Sequence, residues 1–141
     1  MSILRIVLAA IGAFVAYFIL GGLTAAIPEL RDQFRNYPAV YRSKESIMGV
    51  MPYGMAAMFL AILALTVLYA RLNHSGSGLA EGARFGALIG VFAVGAFVFH
   101  NFVNLNIGLK LTVQQAAAYF VLWTVVGIVI GLIYRPITPA R

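Results

Sequence analysis

The stretch GARFGALIG (residues 82–90) carries a glycine at every fourth position: Gly82, Gly86 and Gly90. In water, a glycine inside a helix costs about 1 kcal/mol relative to alanine. In lipid, helices gain little from hydrophobic association, and rows of small residues stabilise helix pairs because the backbones can approach closely. A second row, Gly127 and Gly131, follows in a later apolar stretch. We therefore predict a glycine zipper that packs these two segments together as a membrane hairpin.

The composition around these rows is that of a membrane protein. Of 141 residues, 62% are hydrophobic and 10% are charged, whereas about a quarter of the residues in soluble domains are charged. A helix needs about 20 mostly apolar residues to cross a bilayer. Four stretches approach or exceed that length: Ile3–Leu23, Val50–Leu72, Ala83–Asn104 and Val113–Ile133. We predict an all-α, integral membrane four-helix bundle that forms one domain over residues 1–141.

The first apolar stretch is interpreted as a transmembrane helix, with a cleaved signal peptide as the alternative. It is longer than the roughly 7–15 apolar residues of a signal peptide, and Arg5 lies inside it. Four spans place both termini on one side of the membrane. Basic residues are equally numerous on the two sides, but Arg71, Arg84 and Arg135 adjoin helix ends on the side of the termini. This position favours cytoplasmic termini.

The segment IPELRDQFRNYPAVYRSKES (residues 27–46) is too patterned for a bare turn. Pro28 can begin a helix, and Leu30 and Phe34 lie one turn apart on one side of it. We predict a short interfacial amphipathic helix between helices 1 and 2. It either caps the bundle or forms a surface for a protein partner or lipid head groups. The basic residues of that surface would be Arg31, Arg35, Arg42 and Lys44.

Polar residues end the third span. At about 100° per residue, His100 and Asn104 fall on the side of the glycine row, so we predict that they face the bundle interior. Three phenylalanines are predicted to face lipid instead: Phe85, Phe92 and Phe99. Polar groups inside a membrane bundle need hydrogen-bond partners. The candidates at the same depth are Tyr53, Thr112, Gln114, Gln115 and Tyr119.

Two interpretations of this polar end remain open. The first is a hydrogen-bond knot between helices, worth about 1–2 kcal/mol per bond at most. The second is a small pocket that binds a ligand, a lipid head group or a quinone ring. Its residues would be His100, Asn101, Asn104, Gln115 and Tyr119. Trp123, near the middle of the fourth span, is interpreted as core packing.

The sequence offers no constellation for catalysis. There is no cysteine, so thiol chemistry and thiolate metal sites are excluded. His74 and His100 fall on opposite sides of the membrane in a four-span chain, so they cannot share a metal or haem within one chain. The four acidic residues lie outside the span centres, which argues against a proton-coupled transporter. We expect no enzyme, no catalytic residues, no metal and no cofactor. The net charge of +6 is dispersed, so nucleic-acid binding is not expected either.

Three short motifs carry a resemblance: VYRSKES (residues 40–46), EGARFGALIG (81–90) and HNFVNLN (100–106). Together they resemble a group of small bacterial inner-membrane proteins that have four helices and no assigned activity. The resemblance implies a four-helix fold and a location in the bacterial inner membrane. It implies no functional residues.

These observations lead to two hypotheses about function. The first is a non-catalytic multi-pass membrane protein, either an accessory or assembly subunit or a homo-oligomer, with the bilayer and a protein partner or further copies as its contacts. The second is a small transporter or a ligand- or lipid-binding membrane protein that uses the polar end of helix 3.

Overall fold

The computed structural model describes residues 2–72 and 77–134. These ranges form helices and contain no strand: α1 (Ile3–Ala26), α2 (Pro28–Arg35), α3 (Lys44–Arg71), α4 (Gly78–Asn104) and α5 (Leu109–Tyr134). All but α2 are long and apolar enough to cross a membrane. The all-α, four-span fold class is confirmed, and the chain is a multi-pass membrane protein. His74 and Arg135, named above, lie outside the described residues.

Three of the spans begin earlier than their hydropathy predicts. The first residues of α3, α4 and α5 lie about a turn or more before the predicted starts at Val50, Ala83 and Val113. Serine side chains explain two of these differences. Ser43 accepts a hydrogen bond from the Ser46 amide at 3.3 Å, and Ser77 accepts one from the Ala80 amide at 3.3 Å. Such N-caps satisfy free amides and let a helix begin in polar sequence.

The most extensive helix contact joins α4 and α5 along the glycine rows. A β-carbon on Gly82 would lie 2.5 Å from the carbonyl oxygen of Gly127. A β-carbon on Gly86 would lie 2.8 Å from the Cα of Thr124. Since the atoms in the way belong to the backbone, no side-chain movement can make room. The two helices therefore pack backbone to backbone, and this approach requires glycine.

The close approach extends to both ends of the rows. Gly90 lies against Phe120, whose Cα would be 3.3 Å from an added β-carbon. At the other end Gly131 faces Gly78, a residue outside the predicted row. About three and a half turns of α4, from Gly78 to Gly90, thus run along α5 with little space between the backbones.

The other two spans attach elsewhere. α1 packs on the opposite part of α5 and also on α3. Its contact face is built from small residues that are fully buried: Ala9, Ala10 and Ala13. On α3 the buried residues are Ile62, Thr66 and Tyr69, all in its second half. Every residue of the first half of α3, through Ala57, is exposed.

The segment between α1 and α3 caps one end of the bundle. Leu30 of α2 is buried together with Ile107 and Leu111 at the beginning of α5. The Tyr37 hydroxyl accepts a hydrogen bond from the Gly108 amide at 2.9 Å. The predicted amphipathic helix is therefore present as α2, and its apolar side is used within the chain.

Two predictions about which residues face inward were wrong. Phe85 does not face lipid: it is 8% exposed, and its ring lies 5.2 Å from the ring of Tyr69. Phe85 lies only about a sixth of a turn from Gly82 on an ideal helix, close enough to contact α3. Phe92 and Phe99 are exposed, as predicted.

His100 and Asn104 were predicted to be inside the bundle, but both are exposed. The cause is a π-helical segment, Val94–Phe99, within α4. A π-helical turn holds an extra residue, so each later side chain is displaced by about 100° relative to an uninterrupted α-helix. Asn101, and not His100, then continues the side of α4 that carries the glycines.

Candidate functional site

A cleft of about 700 Å³ lies between α3 and α4. It exists because the two helices attach to different neighbours: α4 packs along α5, and α3 packs mainly on α1. Near one end Tyr69 contacts Phe85, but the backbones of α3 and α4 do not pack side by side. The gap is therefore a result of the way the four spans are paired.

The walls of the cleft are almost entirely apolar. One wall is α3, with small residues at Ala61 and Ala64. The other is α4, which contributes Phe92 and Phe97. Among the residues that the structure describes, none that lines the cleft is charged. A cleft of this kind suits apolar ligands, because ligand pockets are lined mainly by apolar and aromatic side chains.

Three aromatic residues of α1 and α5 form the floor of the cleft: Tyr17, Tyr119 and Trp123. The rings of Tyr17 and Trp123 are 5.6 Å apart and tilted by 52°. Trp123 is 8% exposed. Its indole nitrogen is buried, and it has no hydrogen-bond partner among the described residues. Trp123 is therefore part of the core, as its position predicts. Its indole N–H is also an unpaired hydrogen-bond donor beneath the cleft.

The predicted polar knot at the end of α4 is not formed. Asn104 donates to the backbone oxygen of His100, within its own helix, at 2.7 Å. Thr112 donates to the Gly108 oxygen at 3.1 Å, also within its own helix. Gln115 donates to the Tyr41 hydroxyl in the cap at 3.3 Å. The partners that the knot required are therefore used elsewhere.

The other polar residues that were predicted to form the knot or the pocket lie either on the open surface or in a cleft. Tyr53 is 76% exposed on the free half of α3. The Gln114 side-chain oxygen is buried without a partner among the described residues, beside a groove of about 400 Å³ between α1 and α5. Of the five predicted ligand-binding residues, Asn101 and Tyr119 meet in the cleft between α3 and α4. His100 and Asn104 do not line it.

A smaller cleft of about 170 Å³ lies between the cap and the floor of the larger one. It is lined by Gln115 and by Leu30 and Phe34 of α2. Tyr17 and Tyr119 line both clefts. The two tyrosines therefore separate the cleft between the spans from the space under the cap.

No family model, no curated protein and no solved structure matches this chain.

The four basic residues of the cap lie on its outer side, and all four are exposed: Arg31, Arg35, Arg42 and Lys44. Two of them share one carboxylate, since Arg31 and Arg35 lie 3.7 and 3.5 Å from Asp32. Exposed pairs of this kind contribute about 0–1 kcal/mol. Their main effect is to reduce the positive charge that this surface offers to head groups.

The residues that carry polar or metal-binding chemistry are otherwise scattered. Within residues 2–72 and 77–134, no group of three or more His, Cys, Asp or Glu side chains lies close enough to hold a metal ion.

The cleft itself was not predicted. Its only sequence signals are the helical spacing of Ala61, Ala64 and Leu68 on α3, and this pattern alone does not say which helix lies opposite.

Proposed function

We propose that this chain is a non-catalytic multi-pass membrane protein that acts as a subunit of an assembly, formed with further copies of itself. The observation that carries the proposal is the free half of α3. From Lys44 to Ala57 every residue is exposed, so about four turns of a membrane-spanning helix bury no residue against the rest of the described chain.

The composition of this free half suits close packing with another helix. Gly49 and Gly54 have open space where a side chain would be. Helix contacts in lipid are enriched in such small residues, because attraction there depends on backbone approach. Exposed methionines lie on the same half of the helix: Met48, Met51 and Met55. Methionine is flexible and adapts to irregular contacts.

The absence of charge favours a second copy as the partner. Between Ile47 and Ala70, α3 carries no charged residue. In a twofold interface a patch contacts the same patch on the second copy. Any charged residue in it would therefore lie near a residue of the same charge. The free half is charged only at its first two residues, Lys44 and Glu45, so the rest of this face avoids that repulsion. An accessory role beside a different protein remains the outcome to be distinguished experimentally.

Self-association can be tested by disulfide cross-linking, because the chain has no native cysteine. We expect Met48→Cys to form a cross-linked dimer in membranes treated with copper phenanthroline. Val113→Cys is the matched control: it is the fifth residue of α5, as Met48 is of α3, and the two are 53% and 63% exposed. Equal cross-linking of both variants, or none at Met48→Cys together with a lone monomer in mild detergent, would contradict the proposal.

Location and orientation form part of the same proposal. We propose the bacterial inner membrane, with both termini in the cytoplasm. The motif resemblance supports the first, and Arg71 and Arg84 beside the helix ends support the second. We expect Asn36→Cys, in the cap, to react with a membrane-impermeant maleimide on intact spheroplasts. Ser2→Cys should react only after the membrane is permeabilised. The reverse pattern would invert the orientation.

The non-catalytic character is also proposed. The four acidic residues lie in α2 or in the first turn of α3 or α4: Glu29, Asp32, Glu45 and Glu81. No carboxylate therefore lies at the centre of a described span. We further propose that the glycine rows act as the zipper that holds α4 on α5.

A further inference from the structure

We propose that the cleft between α3 and α4 binds a neutral, membrane-soluble molecule that carries a ring carbonyl, of the quinone class. The site goes beyond the assembly role and does not depend on it. Its essential residues are Trp123 on the floor, Asn101 at the polar end, and Ala61 in the wall formed by α3.

The size and position of the cleft point to a small amphiphile. Ligand sites have volumes of about 300–1,000 Å³, and this cleft has about 700 Å³. It lies between two spans that do not pack side by side, so a molecule dissolved in the bilayer can reach it sideways. Trp123, on its floor, lies near the middle of α5.

The polar groups of the cleft are complementary to an acceptor. The indole N–H of Trp123 is a donor only, and it is buried without a partner among the described residues. A buried donor that is left unpaired is destabilising. The amide of Asn101 and the hydroxyl of Tyr119 add two further donors within the same cleft. A carbonyl oxygen on the ligand would accept from the exposed side chains of Asn101 or Tyr119, above the buried indole of Trp123.

The cleft also selects against charge. None of its lining residues within 2–72 and 77–134 is charged. An anionic head group at this depth would lose its hydration and find no cation, which is unfavourable in a low-dielectric environment. The aromatic floor formed by Tyr17 and Trp123 favours a flat ring, because aromatic rings stack or pack edge to face. These features together distinguish a neutral ring compound from a phospholipid.

The π-helical segment of α4 determines which polar side chain lies in the cleft. Val94–Phe99 interrupts α4, and the resulting displacement places Asn101 on the cleft side, with His100 outside. π-helical turns are rare and occur frequently at functional sites. In an uninterrupted helix Asn101 would lie about 100° further round the axis, near Gly90 and away from the cleft-lining Ile89 and Phe92, and the cleft would lose a donor.

Trp123 is the only tryptophan of the chain, so its fluorescence reports directly on the cleft. We expect decylubiquinone to quench Trp123 in a saturable manner in detergent-solubilised protein. Asn101→Leu should weaken the apparent affinity roughly five-fold. The matched control is Asn104→Leu, three residues away and outside the cleft, which should leave the affinity unchanged. Decylbenzene, which has the chain but no carbonyl, should not displace decylubiquinone.

Two further variants test the wall and the floor. Ala61→Phe should fill the cleft and weaken binding by about ten-fold or more, whereas Ala56→Phe, on α3 but outside the lining, should not. For Trp123→Phe, thermal stabilisation by decylubiquinone replaces fluorescence as the readout, and this stabilisation should be smaller than in the native chain. A variant enters this comparison only if its midpoint of thermal unfolding without ligand equals that of the native chain. If Ala61→Phe does not fold, the pair Asn101→Leu and Asn104→Leu decides.

Three results would overturn the inference: quenching that never saturates, equal effects of Asn101→Leu and Asn104→Leu, or displacement by decylbenzene. The last would mean that the cleft accepts only an alkyl chain. Failure of the assembly proposal would be distinguishable, because a monomer would retain the cleft and its quenching.

Discussion

Gly86→Leu is expected to unfold or severely destabilise the protein. A β-carbon at this position would lie 2.5 Å from the Trp123 carbonyl oxygen and 2.8 Å from the Thr124 Cα. Both obstacles are backbone atoms of α5, so the leucine can be accommodated only if α4 and α5 separate. Overpacking of this kind typically costs about 1–3 kcal/mol, and we expect the upper end or more here. The midpoint of thermal unfolding in detergent should fall by roughly 10 °C.

The matched control for this prediction is Gly22→Leu. Gly22 is also a glycine in a membrane-spanning helix, but nothing lies within 4 Å of the position of its β-carbon. Leucine has the higher helix propensity by about 1 kcal/mol, so Gly22→Leu should leave stability unchanged or raise it. Equal behaviour of the two variants would show that close packing of α4 on α5 does not hold the bundle together.

Tyr69→Ala is expected to loosen the attachment of α3 to α4 and α5 and to destabilise the protein. Tyr69 is 1% exposed, and its ring lies 5.2 Å from Phe85 of α4 and 6.1 Å from Tyr134 of α5. It is therefore the point at which α3 contacts both members of the glycine pair. Truncation of a buried aromatic residue costs about 3–5 kcal/mol. Thermal unfolding in detergent measures the loss.

Tyr53→Ala provides a control of the same residue type on the same helix. Tyr53 is 76% exposed and lies in the free half of α3, so its removal should change the unfolding midpoint little. A large loss of stability at Tyr53 would mean that the free half of α3 is covered in the folded protein. In a monomeric preparation that result would contradict the structure described above.

The positions of the four spans could be predicted because hydropathy and length decide them. α2 could be predicted because Pro28 and the spacing of Leu30 and Phe34 determine a short amphipathic helix. The ends of the helices could be predicted less well. α3 begins at Lys44 because the Ser43 cap outweighs the polar character of the first turn. Local hydrogen bonds, and not apolarity, set such boundaries.

The candidate site was less predictable, for two physical reasons. The orientation of His100 was wrong because the π-helical segment Val94–Phe99 changes the helical phase, and no residue type marks such a segment. The cleft was missed because hydropathy does not specify which spans are neighbours. Asn101 and Tyr119 were among the predicted ligand-binding residues, but the cleft in which they meet depends on the attachment of α3 to α1.

The length of α3 has a mechanical consequence. Its 28 residues make a rod of about 42 Å, well over the roughly 30 Å of hydrocarbon in a typical bilayer. Such a rod must lean or protrude. Because no residue from Lys44 to Ala57 is buried, leaning of this portion disturbs little packing within the chain. Membrane thickness therefore acts on α3 as on a lever that is anchored near Tyr69, and the residues of α3 that line the cleft, from Met58 to Leu68, lie between that anchor and the free end.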